Sequence, residues 1–327
     1  MTTSLRETIL QLFRSTPTGF VSGAQISRTL GVSRTAVWKQ IEKLRELGYC
    51  IEAVPSKGYR LMQSPDVLLA EELSAGASGQ LIGCRIRTLE TTDSTNLQAM
   101  ALGDAGAPEG LVVIADRQTA GKGRLGRSWI SPGGVNLYLS VLLRPPVLPA
   151  AAPQLTFLSA LAVCRTIEDV SDLQPQVKWP NDILLGGRKV AGLLNEMSSE
   201  TDRVNHVVLG IGINLNVMRA ELPTQVRYPA TSIAIETGRP VSRLKFTTLL
   251  LRRLDELYAA YLVEGGRPLL TAWEAYCELT GQMIEVDCQQ RRIHGQMAGI
   301  DDDGALLVKT SAGVERILAG DVRPARR

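Results

Sequence analysis

The chain has 327 residues, 44% hydrophobic and 21% charged, a composition that fits two or three ordinary globular domains and excludes a disordered or low-complexity protein. Five scattered cysteines without CxxC spacing argue for reduced thiols and against a zinc ribbon or disulfide scaffold, and two histidines (His206, His294) poorly support a His-based triad or metal cluster. The net charge of +3 hides an asymmetry: residues 1–62 carry nine Lys and Arg against four Glu, leaving a slightly acidic remainder, so only the front end suits a polyanion.

In chain order, residues 3–14 read as an amphipathic helix with Leu5, Ile9, Leu12 and Phe13 on one face. The start lacks a small-residue cleavage site, and no apolar run approaches the ~18–20 residues of a membrane span, so a cytoplasmic protein without a membrane partner is expected. A short helix from Ser22 to Leu30 follows, then the Gly31-Val32-Ser33 turn and a third helix over 34–47, with Ser33 as its cap and Val37, Ile41 and Leu44 inward. Tyr49–Val54 and Gly58–Leu61 read as a hairpin around Pro55-Ser56-Lys57. Two helices across a Gly turn and a β wing make a winged helix-turn-helix. Its outward Arg34, Thr35, Lys39 and Lys43 can reach a major groove beside the Ser33 cap, with Lys57 and Arg60 on the wing for phosphates.

Residues 63–66 read as a linker. Strands are expected over Ile86–Glu90, Gly110–Asp116, Val135–Leu143, Gln176–Lys178, Ile183–Leu185, Lys189–Glu196 and Asn205–Ile213, and helices over Ser94–Ala101, Ala150–Val170 and Leu244–Val263. This predicts an α+β domain with a largely antiparallel sheet. Beyond Leu279, short runs (Met283–Cys288, Ile293–Ile300, Leu306–Lys309, Glu315–Leu318) between Gly and Asp turns predict a small β-barrel. The expected domains are 1–63, 64–277 and 278–327.

Five segments carry candidate chemistry. Gly121-Lys122-Gly123-Arg124-Leu125-Gly126-Arg127 puts three glycines and three cations in seven residues, behind Gln118. Glycines let backbone N–H groups approach an anion and cations neutralise it; an ordinary exposed basic loop has the same composition. The spacing matches neither a Walker A loop nor a dinucleotide fingerprint. Lys178-Trp179-Pro180-Asn181-Asp182 offers a cation, an amide and a carboxylate for phosphate and magnesium, or simply a turn. Lys189, in Arg188–Glu196, stands at the mouth of a buried strand or on the surface. Gly210-Ile211-Gly212-Ile213-Asn214 implies close backbone approach. Thr92-Asp93-Ser94-Thr95-Asn96 is either a helix cap or a set of partners for a polar ring.

Together and in this order, DSTN at 93–96, GKGRLGR at 121–127, KWPND at 178–182, RKVAG at 188–192 and GIGIN at 210–214 resemble the biotin protein ligases. Residues 1–62 resemble the DNA-binding domain of those ligases that also repress biotin-synthesis genes. The resemblance implies a multi-domain α+β protein: winged helix-turn-helix, central mixed ligase domain and C-terminal SH3-like barrel. It implies activation of biotin by ATP with Mg2+ (carried by the ATP phosphates rather than by a protein metal site), and transfer to a lysine of the biotin carboxyl carrier protein domain of acetyl-CoA carboxylase. Operator DNA and a ligand-dependent homodimer are the further partners implied. Ser94, Thr95, Asn96 and Gln118 would hold biotin with Lys122, Gly123, Arg124 and Lys189; Lys122, Arg124 and Lys189 would act in catalysis. Gly121, Arg124, Arg127, Trp129, Asn181, Asp182 and Asn214 would serve the nucleotide. Lys122 stands where the family loop usually has Arg, keeping charge but not the two-pronged donor, and the tail at Gly320–Pro324 departs from the family pattern and receives no role. The rivals are a lipoate ligase and a non-catalytic biotin-sensing repressor.

Overall fold

The structure, a computed structural model, describes residues 5–76, 79–222, 228–288 and 291–325. The chain divides into two compact units, Met1–Val67 and Leu68–Arg327, each of which follows from its own sequence.

In the first unit the helices are α1 (Leu5–Arg14), α2 (Gly23–Leu30) and α3 (Arg34–Glu46), and the wing is β1 (Cys50–Val54) against β2 (Gly58–Gln63). Residues 3 and 4 of the expected first helix lie outside the described residues. Ile9, Leu10 and Phe13 of α1 pack inward with Ile26 of α2 and Val37, Ile41 and Leu44 of α3. Ser22 Oγ accepts from the Gln25 amide at 3.1 Å, and Ser33 Oγ accepts from the Ala36 amide at 3.2 Å; such caps contribute about 1 kcal/mol each. Gly31 turns the chain between α2 and α3 with φ 64, a left-handed conformation that costs a β-carbon residue energy.

The second unit runs α4 (Ala70–Gly76), β3 (Arg85–Thr92), α5 (Thr95–Asp104), β4 (Leu111–Gln118), β5 (Leu137–Leu143), α6 (Gln154–Val170), β6 (Pro175–Lys178), β7 (Asp182–Leu185), β8 (Arg188–Ser199) and β9 (Val204–Ile213). It continues with α7 (Ile233–Thr237), α8 (Arg243–Glu264), α9 (Arg267–Glu274), β10 (Met283–Asp287), β11 (Arg292–Ile300), β12 (Leu306–Thr310), β13 (Gly313–Ile317) and β14 (Asp321–Pro324). Strands β3 to β9 form one sheet in the order β3-β4-β5-β9-β8-β7-β6. Its ladders are antiparallel except β3–β4, which is parallel, because the crossover helix α5 joins those two strands. Alternation along β4 sends Val112 and Ile114 into the main core, while Val113 meets Leu142, Val208 and Ala99 of α5 on the opposite face. Both faces are thus covered by helices, and β5 is buried along its whole length.

One expectation is corrected here. Pro149–Val170, 22 residues that include an 18-residue window of mean hydropathy 1.3, does reach the length and apolarity of a bilayer span; 67% of that window is buried within the protein. Leu155, Leu158 and Leu161 lie in the main core, so the apolarity is that of a core helix.

Strands β10 to β14 form a second, antiparallel sheet in the order β13-β12-β11-β10-β14. Strand β14 and helices α7 and α9 were not distinguished in the sequence. The chain passes to this sheet without a break in the core: Ile284, Val286, Leu306 and Val308 share one apolar cluster with residues of α6, α8 and α9. Phe157 of α6 meets Trp273 of α9 edge to face at 5.1 Å, and Trp179 Nε1 donates to Gly304 O at 3.1 Å.

Candidate active site

A cavity of about 520 Å³ opens at one end of the seven-stranded sheet, a size typical of small-molecule sites. Its polar floor comes from the β3–α5 turn. Gln118 Oε1, at the end of β4, accepts from Thr95 N at 2.8 Å and Thr95 Oγ1 at 3.2 Å, while Gln118 Nε2 donates to Ser131 Oγ at 2.9 Å. Ser140 Oγ of β5 lies 2.8 Å from Thr95 Oγ1 and 2.6 Å from Asn96 Oδ1. Asn96 Nδ2 donates to Leu194 O at 3.0 Å and Glu196 Oε2 at 2.8 Å. A Cβ at Gly210 would stand 2.1 Å from Asn96 Oδ1, so that glycine admits the amide. Ser94 is buried and makes no side-chain cap bond to α5; it faces the cavity instead. Asp93 takes up the local donors, and the Gln98 amide together with the Ser94 N–H holds its carboxyl below the usual range.

The basic segment folds on itself. Trp129 N donates to Gly121 O at 2.8 Å, Gly123 N donates to Arg127 O at 2.7 Å, and Lys122 and Ser128 form an antiparallel bridge around a single turn at Arg124–Gly126. Lys122, Gly123, Arg124, Arg127 and Trp129 line the cavity. Gly121 does not; a Cβ there would stand 2.4 Å from Trp129 O, so it serves the close approach of the two arms. Burial lowers the Arg124 guanidinium pKa, and the Asp321 and Asp182 carboxylates partly offset that. Its Nη1 is 3.4 Å from Asn181 Oδ1. Arg127 Nη2 donates to Asp321 Oδ2 at 2.6 Å.

Lys189, near the start of β8, pairs with Asp182 at the start of β7: Nζ lies 2.6 Å from Oδ1 and 5.3 Å from the centre of the Trp129 ring. Asn181 Nδ2 donates to Leu193 O at 2.6 Å. The Trp129 indole crosses Gly192 and Gly212, which face each other across the β8–β9 ladder. A Cβ at Gly212 would come within 2.7 Å of Trp129 Nε1, and one at Gly192 within 3.0 Å of the ring. That indole N–H is buried with no hydrogen-bond partner among the described residues. Asn214 lines the cavity but its Nδ2 donates to Thr231 O at 3.0 Å, so its amide also holds a neighbouring segment in place.

The sequence reading missed Asp321, Tyr228, Asn136 and Ser140. Asp321, Tyr228 and Asn136 line the cavity, and Ser140 braces its floor. Asp321 belongs to the tail that received no role; no local pattern marks it, since its partner lies 194 positions away. Among the described residues the cavity wall carries four cations, Lys122, Arg124, Arg127 and Lys189, against the carboxylates Asp182, Glu221 and Asp321. Two of those carboxylates pair with wall cations. Such a wall suits a polyanionic ligand that displaces internal partners.

In the first unit Arg34, Thr35, Lys39, Lys43 and Lys57 are exposed, whereas the Ser33 hydroxyl is the α3 cap. Lys57 Nζ lies 5.8 Å from the Phe20 ring centre. Arg60 stacks on that ring at 4.7 Å and pairs with Glu52 at 2.7 Å, so part of the expected wing charge is neutralised internally.

Comparison with known proteins agrees with this division. Residues 87–214 match the biotin/lipoate A/B protein ligase family, residues 5–60 a helix-turn-helix domain, and residues 280–323 the biotin protein ligase C-terminal domain. Fold and cavity together thus define a protein ligase of the biotin/lipoate class preceded by a helix-turn-helix module. The chain is 39% identical to the bifunctional ligase/repressor BirA of Bacillus subtilis over 98% of its own length and 99% of that protein. It is 34% identical to the BirA protein of Escherichia coli over 93% and 92%. A biotin protein ligase from Aquifex aeolicus, solved in complex with biotin and ATP, superposes with TM-score 0.64 at 29% identity, covering 74% of this chain and 99% of that one. The chain belongs to the family of bifunctional biotin ligase/repressors.

Proposed function

We propose that this protein joins biotin to ATP in the cavity and transfers the biotinyl group to a lysine of the carrier domain of acetyl-CoA carboxylase. The observation that carries the reading is the meeting of four cations with a neutral hydrogen-bonding floor in one cavity. Biotin is a neutral bicyclic urea with a carboxylate tail. The floor of Ser94, Thr95, Asn96 and Gln118 suits the ring, and the cations suit the carboxylate and the phosphates. In the first step a carboxylate oxygen of biotin attacks the α-phosphorus of ATP and pyrophosphate leaves. In the second, the neutral amine of the acceptor lysine attacks the acyl carbon, AMP leaves, and the amine proton passes to solvent. Both steps need charge neutralisation and alignment rather than a protein nucleophile.

Arg124, Lys122 and Lys189 neutralise the carboxylate and α-phosphate in this scheme, with Gly123 allowing close approach. Arg127 takes the triphosphate and Trp129 flanks the adenine. Mg2+ arrives with ATP as part of the substrate, beside Asn181, Asp182 and Asn214. The front module binds operator DNA through Arg34, Thr35, Lys39, Lys43 and Lys57 with α3 capped by Ser33, as a homodimer promoted by the bound adenylate, and the protein works in the cytoplasm. An SH3-like barrel remains our reading of the C-terminal sheet, with the domains divided near residues 63 and 277.

Pyrophosphate release with biotin and MgATP tests the enzymatic reading: release that depends on biotin is expected, and none would leave only a sensing repressor. Competition between biotin and lipoate separates the two ligase substrates, with biotin expected to win.

A further inference from the structure

We infer that Trp38 is a sequence-reading side chain of the helix-turn-helix module, packing its indole against the 5-methyl group of a thymine in the major groove. This deepens the DNA-binding reading above and rests on it. Trp38 is 52% exposed, although the neighbouring large apolar side chains of α3 (Val37, Ile41, Leu44) are buried. A solvent-facing tryptophan contributes little to the module's own core, and exposed aromatics mark contact surfaces.

Its position on the helix defines what it can meet. Trp38 is one turn beyond Arg34 and three residues beyond Thr35, so these side chains are neighbours on the surface of α3. It is also two turns before Arg45, whose Nε and Nη2 donate to Ile51 O of β1 at 3.2 and 2.7 Å. Trp38 therefore lies on the helical face that also carries Arg45, in the N-terminal half of α3. That half is the part of a recognition helix that reaches base edges. Around it lie exposed Arg34 and Lys39.

Charge selects the occupant. With nine cations against four carboxylates over residues 1–62, the module attracts a polyanion and repels a second copy of the same face. Within a major groove the apolar group that base pairs present is the thymine methyl. Lysines and arginines on phosphates set orientation and carry no sequence information; an apolar contact to that methyl does.

The test uses the full-length protein with biotin and MgATP, first to select binders from a randomised duplex pool. The wild type is expected to enrich a motif with a fixed thymine in each half-site. Replacing that thymine by deoxyuridine, which lacks only the methyl, weakens wild-type binding roughly tenfold, within the range that one altered base pair costs. Trp38→Ala binds both duplexes equally at the weakened level, with the same salt dependence because no phosphate contact is lost. Trp38→Phe retains a partial preference, and unchanged helical content and thermal unfolding of both variants show that the module's fold persists. A motif whose thymines all tolerate deoxyuridine, or an unchanged motif and affinity in Trp38→Ala, overturns the role of Trp38 and leaves the DNA-binding reading standing. A wild type that enriches no motif overturns both.

Discussion

Arg127 donates to the carboxylate of Asp321 at 2.6 Å across 194 residues of chain, joining the basic loop after β4 to the last strand of the C-terminal sheet. The pair sits in the cavity wall, with the Arg127 side chain 51% exposed and Asp321 15% exposed. It ties the loop to β14 through the guanidinium that the proposed function gives to the triphosphate.

The first prediction concerns that pair. Asp321→Asn releases Arg127, and trypsin then cuts the ligand-free protein faster within residues 122–127. Global stability changes by less than about 1 kcal/mol, because the Arg127 half of the pair is open to solvent. Biotin with MgATP protects the loop in both proteins. Equal cleavage of variant and wild type without ligand would show that Asp321 does not hold the loop.

Gly212 provides the second. A Cβ there would stand 2.7 Å from Trp129 Nε1 and 2.8 Å from the adjoining ring carbon. Gly212→Ala therefore expels the indole from its slot over the sheet. Adenylate formation falls by about 10²-fold, the scale that an ångström of misplacement costs, and the tryptophan emission shifts as Trp129 gains solvent. Trp129→Phe in the same background identifies the emitting residue. Normal activity in Gly212→Ala would mean that the slot is not used.

Lys189 is the third. Lys189→Gln removes the cation paired with Asp182 and lowers biotin-dependent pyrophosphate release by about 10²–10³-fold, as expected when one electrostatic donor is lost. Lys189→Arg retains charge and keeps part of the rate. Measuring the two rates beside their thermal midpoints separates chemistry from folding; a rate loss no larger than that from unfolded protein would refute the role.

The fourth is a pH effect away from the cavity. His206 on β9 is 1% exposed, its Nε2 has no hydrogen-bond partner among the described residues and lies 3.8 Å from Asp104 Oδ1, and burial, only partly offset by that carboxylate, pushes its pKa below the ordinary value of 6.5. The unfolded chain then binds a proton that the folded chain refuses. Stability contributed by the neutral ring is therefore present above about pH 6.5 and is lost as pH falls toward the folded-state pKa. His206→Gln is expected to flatten this part of the melting profile between pH 7 and 5. An unchanged slope would locate the acid sensitivity elsewhere.

The local architecture was legible because its causes are local. Ser22, Gly31 and Ser33 act within three residues of their partners, and apolar runs such as Leu137–Leu143 announce buried strands by composition. The motif segments at 93–96, 121–127, 178–182 and 210–214 likewise carry their glycines and cations in the sequence itself. What the tertiary structure decided is which of them meet. The order β3-β4-β5-β9-β8-β7-β6 sets Gly192 opposite Gly212 beneath Trp129 and brings Ser140 to Thr95 and Asn96. Antiparallel pairing with β10 carries Asp321 back to Arg127. Those contacts depend on strand register and on a shared core over long separations, and neither leaves a periodic trace in the residues themselves.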